Sequence, residues 1–159
     1  MWNAVTYFEN LNKKLKLTVD NKYKFSRVTG FEYLEDILDD LKQQAYLAVD
    51  DTDDGVTVRE GAGYFVKRVI TVFILRRYKV GDQADRESKL AETRLIRNKF
   101  TARLIKDSNT NDDLMYLDKT RFPYKEVPGY FAAGTCGIYF FVTVKEPTDL
   151  CDVANDWYN

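Results

Sequence analysis

No histidine occurs in the 159 residues, while cysteine occurs twice, proline three times and glycine eight times. The missing imidazole removes every Ser-His-Asp or Cys-His nucleophile system and the commonest transition-metal ligand, and two cysteines cannot build a four-thiolate zinc site. Carboxylate, lysine, tyrosine and arginine chemistries remain, but no motif establishes one, so the chain reads as a non-enzyme with no cofactor and no bound metal. Charge of one sign is also missing. With 24 Lys plus Arg against 25 Asp plus Glu, no bulk positive charge exists to hold nucleic acid non-specifically. No stretch approaches the roughly 18 apolar residues of a membrane span. Met1-Trp2-Asn3-Ala4-Val5-Thr6 lacks the basic start and apolar run of a secretory leader. The protein is therefore expected to stay where it is made, with no membrane partner and with Cys136 and Cys151 as free thiols.

What is present is the material of a single core: 45% hydrophobic, 31% charged, with 11 Tyr and 10 Phe. Apolar residues at Trp2, Val5, Phe8, Leu11 and Leu15 fall on one helical stripe and predict a first helix from Trp2 to Leu17. Phe25 and Val28 suit a short extended piece. Thr29 followed by Glu32 has the spacing of a capping box and predicts a second helix whose apolar face is Phe31, Leu34, Leu38, Leu41 and Ala45. Tyr46 to Val49 reads as a short strand, Asp50-Asp51-Thr52-Asp53-Asp54-Gly55 as an acidic turn, and Val56 to Val58 as a strand restarted. Gly61-Ala62-Gly63 then breaks it.

Tyr64 to Tyr78 is the longest strand signal, apolar on both faces in its middle and charged at its ends, which predicts a central position in a sheet covered on both sides. Asp82 with Asp85 predicts a helix start. This third helix would run to about Lys106 or Asp107, with Ala84, Ala91, Leu95, Ala102 and Ile105 on one stripe and Ile96, Phe100 and Leu104 beside it. The period-two alternation of Phe100, Ala102 and Leu104 leaves a late switch to strand open. The segment near 109–130 reads as an irregular insertion, too apolar for a solvated linker, with Phe122, Tyr124 and Tyr130 expected to lie against the chain's own sheet or a neighbouring subunit. Gly137 to Lys145 alternates cleanly: Ile138, Phe140, Val142 and Val144 on one face, Tyr139, Phe141 and Thr143 on the other. Residues 1–147 thus form one α+β domain with a mainly antiparallel sheet and about three helices, followed by an acidic, aromatic tail at 148–159.

Near-neutrality conceals polarisation. Glu32 to Glu60 contains ten acidic residues against two basic, and Tyr64 to Lys106 contains twelve basic against four acidic. These segments either cancel within one subunit or supply opposite surfaces for a head-to-tail contact between subunits. On the second reading the interface residues are Arg68, Arg76 and Arg77 on one side, and Asp50, Asp51, Asp53 and Asp54 on the other. Phe122, Tyr124, Tyr130, Trp157 and Tyr158 would be aromatic anchors. A nucleic-acid surface built on Arg68, Arg76, Arg77, Arg94, Arg97 and Arg103 is disfavoured, because the acidic half repels a broad DNA approach. Asp50, Thr52, Asp54 and Gly55 match the start of a calcium loop, but position twelve is Gly61 where a bidentate glutamate is required. Gly61-Ala62-Gly63 lacks the third glycine of a dinucleotide fingerprint and precedes a strand. Paired carboxylates such as Glu35 with Asp39 lie on a helix side expected to face water.

Three stretches, Thr29-Gly30-Phe31-Glu32-Tyr33-Leu34, Tyr64 to Tyr78 and Gly137-Ile138-Tyr139-Phe140-Phe141-Val142-Thr143-Val144, give an order and texture of elements that resembles the tail-terminator and head-to-tail connector (neck ring) proteins of tailed bacteriophages. The resemblance implies a small α+β structural virion protein that forms a homo-oligomeric ring at the neck or head-tail junction. Such a ring would contact the portal or other neck and tail proteins and pass genomic DNA non-specifically through its channel. It would be made in the host cytoplasm and located in the virion, with no catalysis. The alternative is a cytoplasmic α+β module that binds a small ligand or peptide beside Tyr139 and Phe141.

Overall fold

Phe8 lies at the centre of the protein, fully buried, its ring edge-on to Phe100 at 5.8 Å and to Phe140 at 6.1 Å. Those three rings join the first helix, the long helix and the sheet. The computed structural model describes residues 2–30, 34, 38, 43–52, 54–127 and 134–150. Among them the chain forms α1 (Ala4–Lys14), α2 (Lys16–Asp20), β1 (Lys24–Val28), β2 (Ala45–Asp50), β3 (Asp54–Glu60), β4 (Gly63–Arg77), α3 (Gln83–Asp107), a single 3-10 turn (Asp112–Leu114), β5 (Tyr124–Val127) and β6 (Thr135–Thr148). The fold is α+β, with a six-stranded sheet in the order β1-β2-β4-β6-β5 and β3 paired to β4. Only β1 and β2 run parallel; every other pairing is antiparallel.

The expected first helix is two. Asn3 caps α1 by accepting a bond from Thr6 N, but Leu15 is extended (φ −76°, ψ 119°) and ends it. Buried tertiary bonds account for the break: Thr18 Oγ1 donates to Asn12 O at 2.7 Å, and Asn12 Nδ2 donates to Tyr23 O at 2.9 Å. These satisfy polar groups that the continuous apolar stripe could not show. The expected second helix lies mostly outside the described residues. Leu34 and Leu38 are described, both helical and buried. Thr29 donates its hydroxyl to Asp51 Oδ1 at 2.9 Å, while Glu32, its expected capping partner, is outside the described residues.

β4 is central, as its two apolar faces require. Ile70, Val72 and Ile74 meet α1 and α3 on one side, with Val142, Phe140 and Ile138 of β6 beside them. Phe73 and Leu75 point to the other side with Tyr46, Ala48, Leu34 and Leu38. β2 and β3 lie one after the other along the same edge of β4: Val49 pairs with Val72 and Asp54 with Val69. The acidic turn is therefore a bulge of two extra residues in one interrupted strand. The predicted hairpin between β3 and β4 is present, closed by Gly61-Ala62 between the paired Glu60 and Gly63, with Gly61 at φ 62°. That conformation at the first central position of a two-residue turn favours glycine.

α3 starts where Asp82 predicts, its side chain accepting from Asp85 N at 3.0 Å, and stays helical through Asp107. Its buried side is Leu90, Thr93, Ile96, Phe100 and Leu104, whereas Leu95 and Ile105 of the expected main stripe are exposed. The helix offers two weak apolar stripes, and the one carrying Phe100 wins because it meets Phe8. The segment near 109–130 is less irregular than its composition suggests. Leu114 and Leu117 are buried, Leu117 bridges to Val144, and β5 pairs with β6. Backbone bonds from Asp118 N to Thr143 O, from Phe141 N to Pro123 O and from Lys145 N to Tyr116 O hold this segment on its own sheet. β6 runs through Pro147 to Thr148, one residue into the expected tail. No described helix is long and apolar enough to cross a membrane.

Candidate subunit interface

The interface candidates separate into side chains that staple the subunit and side chains that face outward. Arg68 is buried, on the side of β4 that α1 covers. Its Nη1 lies 3.1 and 3.2 Å from the two Glu146 oxygens and donates to Trp2 O at 3.3 Å. Arg76 donates to Asn21 O and Oδ1, both at 3.3 Å. Its Nε stands 3.4 Å from Glu92 Oε1, and its guanidinium lies over the Tyr23 ring at 5.7 Å. Tyr23 in turn donates to Glu92 at 2.8 Å, and burial first, then the Glu92 charge, pushes its phenol above the ordinary range. Arg77 donates to Gln43 O at 3.1 Å and to Leu38 O. The three arginines of β4 thus serve the subunit's interior.

Asp50 and Asp51 are also bonded within the subunit, Asp50 half-buried and Asp51 at the surface. Asp50 Oδ1 accepts from Thr52 N at 2.9 Å, Thr52 Oγ1 at 2.7 Å and Gly30 N at 3.2 Å. Asp51 accepts from Arg27 at 3.0 Å and Thr29 at 2.9 Å. Asp50 and Thr52, two of the residues that matched a calcium loop, therefore bond to each other within the bulge, and no cluster of three metal-ligating side chains occurs among the described residues. Asp53, Tyr130, Trp157 and Tyr158 lie outside the described residues.

The outward-facing candidates are on opposite edges of the sheet. Asp54 opens β3, whose residues are exposed except for a half-buried Val58. Around it the β3-β4 hairpin carries Val56, 54% exposed, and Tyr64, 40% exposed, with Arg59 over the Tyr64 ring at 6.0 Å. Tyr116, 42% exposed, meets Phe65 edge-on at 5.6 Å on the open sheet face beside that hairpin. At the other edge, β5 holds Tyr124, 53% exposed, with the Arg97 guanidinium over its ring at 4.1 Å. One residue pair over, Arg94 Nε and Nη2 grip the two Glu126 oxygens at 2.6 and 2.9 Å. That bidentate bond holds the Glu126 carboxyl below its usual range. Phe122 is half-buried against the helix-side core. Arg121 and Lys125 complete a basic, aromatic edge facing solvent.

Sequence reasoning missed Val56, Tyr64, Tyr116 and the Arg97–Tyr124 stack. Alternation marks Val56 and Tyr64 as strand residues but not as residues left uncovered. The spacing of Arg94 and Arg97, three apart on a helix, does place both on one side. Arg68, Arg76, Arg94 and Arg103 each have a carboxylate partner, so a phosphate would have to displace it.

No protein-family model and no curated protein matches the chain.

Proposed function

We propose that the protein is a structural, ring-forming virion subunit of a tailed-phage neck or head-tail junction, associating head to tail around the DNA channel. The observation that carries the reading is the pair of unlike surfaces on opposite edges of one sheet. The β3-β4 hairpin presents Asp54, Val56 and Tyr64. The β5 edge presents Tyr124 under Arg97, with Arg121 and Lys125. A closed ring needs two different complementary patches on each subunit, placed so that one rotation brings them together. Asp54 with the exposed Val56 and Tyr64, the latter beside Arg59, on one edge, against Arg97, Arg121 and Lys125 around Tyr124 on the other, supply two such unlike patches, and aromatic and arginine side chains are the usual anchors of such contacts. The portal or other neck and tail proteins would then be the partners above and below the ring, and the genome would pass through it without sequence-specific contact.

Light scattering of the purified protein across concentration at low and high salt, with negative-stain images, tests this. Closed rings that loosen in high salt are expected. A salt-insensitive monomer at every concentration would sink the ring and favour the small-ligand or peptide-binding module. The sheet face expected to hold that ligand does carry a cavity of about 480 Å³, but its walls include Phe65, Lys67, Tyr116 and Thr143 in place of Tyr139 or Phe141.

A further inference from the structure

Between α1 and α3 the surface opens into a cleft of about 380 Å³, walled by Tyr7, Leu11, Leu15 and Phe100, with Lys14, Lys99 and Arg103 at its rim. The size is within the roughly 300–1,000 Å³ of sites that enclose a bound group. Its charge is unbalanced. Asp107 is the acid of the cleft, and it accepts from Tyr7 Oη at 2.9 Å and from Arg103 Nε at 2.9 Å. Burial and then the Asp107 bond push the Tyr7 phenol above its ordinary range, so Tyr7 stays a neutral donor to that carboxylate. Lys14 and Lys99 are exposed and make no ion pair among the described residues. Two cations thus stand at the mouth of an apolar slot whose own acid is already matched.

The same chain carries a complementary segment. After Lys145 the sequence has Glu146, Asp149, Asp152 and Asp156 with no Lys or Arg, and it includes the aromatic pair Trp157-Tyr158. We propose that the cleft between α1 and α3 receives residues 151–159 of a second copy, with Trp157 or Tyr158 in the apolar slot and Asp152 and Asp156 against Lys14 and Lys99. The inference rests on the head-to-tail reading and adds the occupant. Apolar filling by one aromatic ring supplies the contact area, and the paired charges fix its direction. Because the lysines are exposed, their replacement leaves the core intact.

The test uses full-length chains. Lys14→Glu with Lys99→Glu reverses the cleft, and Asp152→Lys with Asp156→Lys reverses the segment. Each variant alone is expected to lose association in light scattering, and an equimolar mixture of the two is expected to regain it, since each then offers the other a complement. A contact made within one chain gives no such complementation and would overturn the inference. A labelled peptide of residues 148–159, titrated into the segment-reversed chain, is expected to bind saturably, and to bind about tenfold more weakly to the cleft-reversed chain. Peptide binding to the segment-reversed chain when the unaltered chain is itself monomeric at every concentration would retain the cleft contact and remove the ring. Rings that persist in both reversed variants, with peptide binding unaltered, would retain the ring and remove the cleft contact.

Discussion

Arg68 and Glu146 meet diagonally across β4 and β6, Nη1 to Oε1 at 3.1 Å, with side chains only 10% and 13% exposed. The same Oε1 accepts the Trp2 backbone N–H at 2.8 Å. One buried ion pair therefore ties the start of the chain to both long strands. Removing one member of such a pair leaves an uncompensated charge, whereas replacing both with apolar groups of similar shape is often neutral. Arg68→Met alone is expected to lower unfolding stability by about 3 kcal/mol. Arg68→Met with Glu146→Leu should recover most of it. Urea midpoints of the three proteins measure this; equal losses in the single and double variants would remove the coupling.

Phe8 has aromatic neighbours from three elements and no exposed surface. Truncating a buried phenylalanine costs both transfer energy and a cavity, so Phe8→Ala is expected to lose about 3–5 kcal/mol. Thermal melting followed by circular dichroism checks it, and a loss under 1 kcal/mol would mean that the site collapses around the smaller residue.

Gly137 admits no side chain. A Cβ there would collide with the Ile74 carbonyl oxygen and stand 2.9 Å from Leu75 Cα. Since Gly137 pairs with Leu75, two pairs in from the Arg77–Thr135 end of the β4-β6 ladder, Gly137→Ala is expected to yield insoluble or partly unfolded protein, with lost amide protection at that end of both strands. A well-folded variant with unaltered exchange rates would contradict the close approach.

Tyr124 is the counterpart on the surface. Its ring contributes to the Arg97 stack, an exposed cation–π contact worth about 0.5–1 kcal/mol. Tyr124→Ala should therefore leave the melting temperature nearly unaltered while weakening assembly, read as a fall in solution mass. Loss of stability without loss of mass would make the stack an intramolecular brace only.

Among the groups with shifted pKa values, Asp118 and Cys136 act at opposite ends of the pH range. The Thr120 hydroxyl, donating to Asp118 at 2.6 Å, holds that carboxyl below 3.8. A lowered folded value stabilises above the unfolded one, and the contribution fades as pH falls through the folded value. Asp118→Asn should flatten the acid limb of the stability curve below about pH 4. At the alkaline end, burial raises the Cys136 thiol from 9.0 to about 11. A raised folded value favours the native state at low pH, so this contribution declines as pH climbs from 9 to about 11. In a Cys151→Ser background, Cys136 should resist alkylation at pH 8 until the protein is unfolded. Rapid labelling of the native protein would refute its burial.

Local chemistry was enough for several elements. Asp82 and Asp85 located the start of α3, the clean alternation of Ile138, Phe140, Val142 and Val144 oriented β6, and the glycines around Ala62 closed the hairpin. Those signals act between residues a few positions apart, so they survive without knowledge of the partner. The break at Leu15, the choice of the Phe100 stripe on α3 and the pairing of β5 depend on contacts outside the helix or strand itself: the Asn12–Tyr23 bond eleven residues along, Phe8 and Phe140.

The site follows the same division. The absence of histidine removed imidazole chemistry, two cysteines excluded a four-thiolate zinc site, and counting charges exposed the acidic and basic segments. Which of those charges face outward was decided only by tertiary structure. Arg68 turned inward because Glu146 comes from a strand 78 positions away, and Tyr124 stayed outside because β5 is the last strand of the sheet. Charge and polarity are properties of a residue, legible one letter at a time. Exposure is a property of the packed chain, set by which face finds a cover.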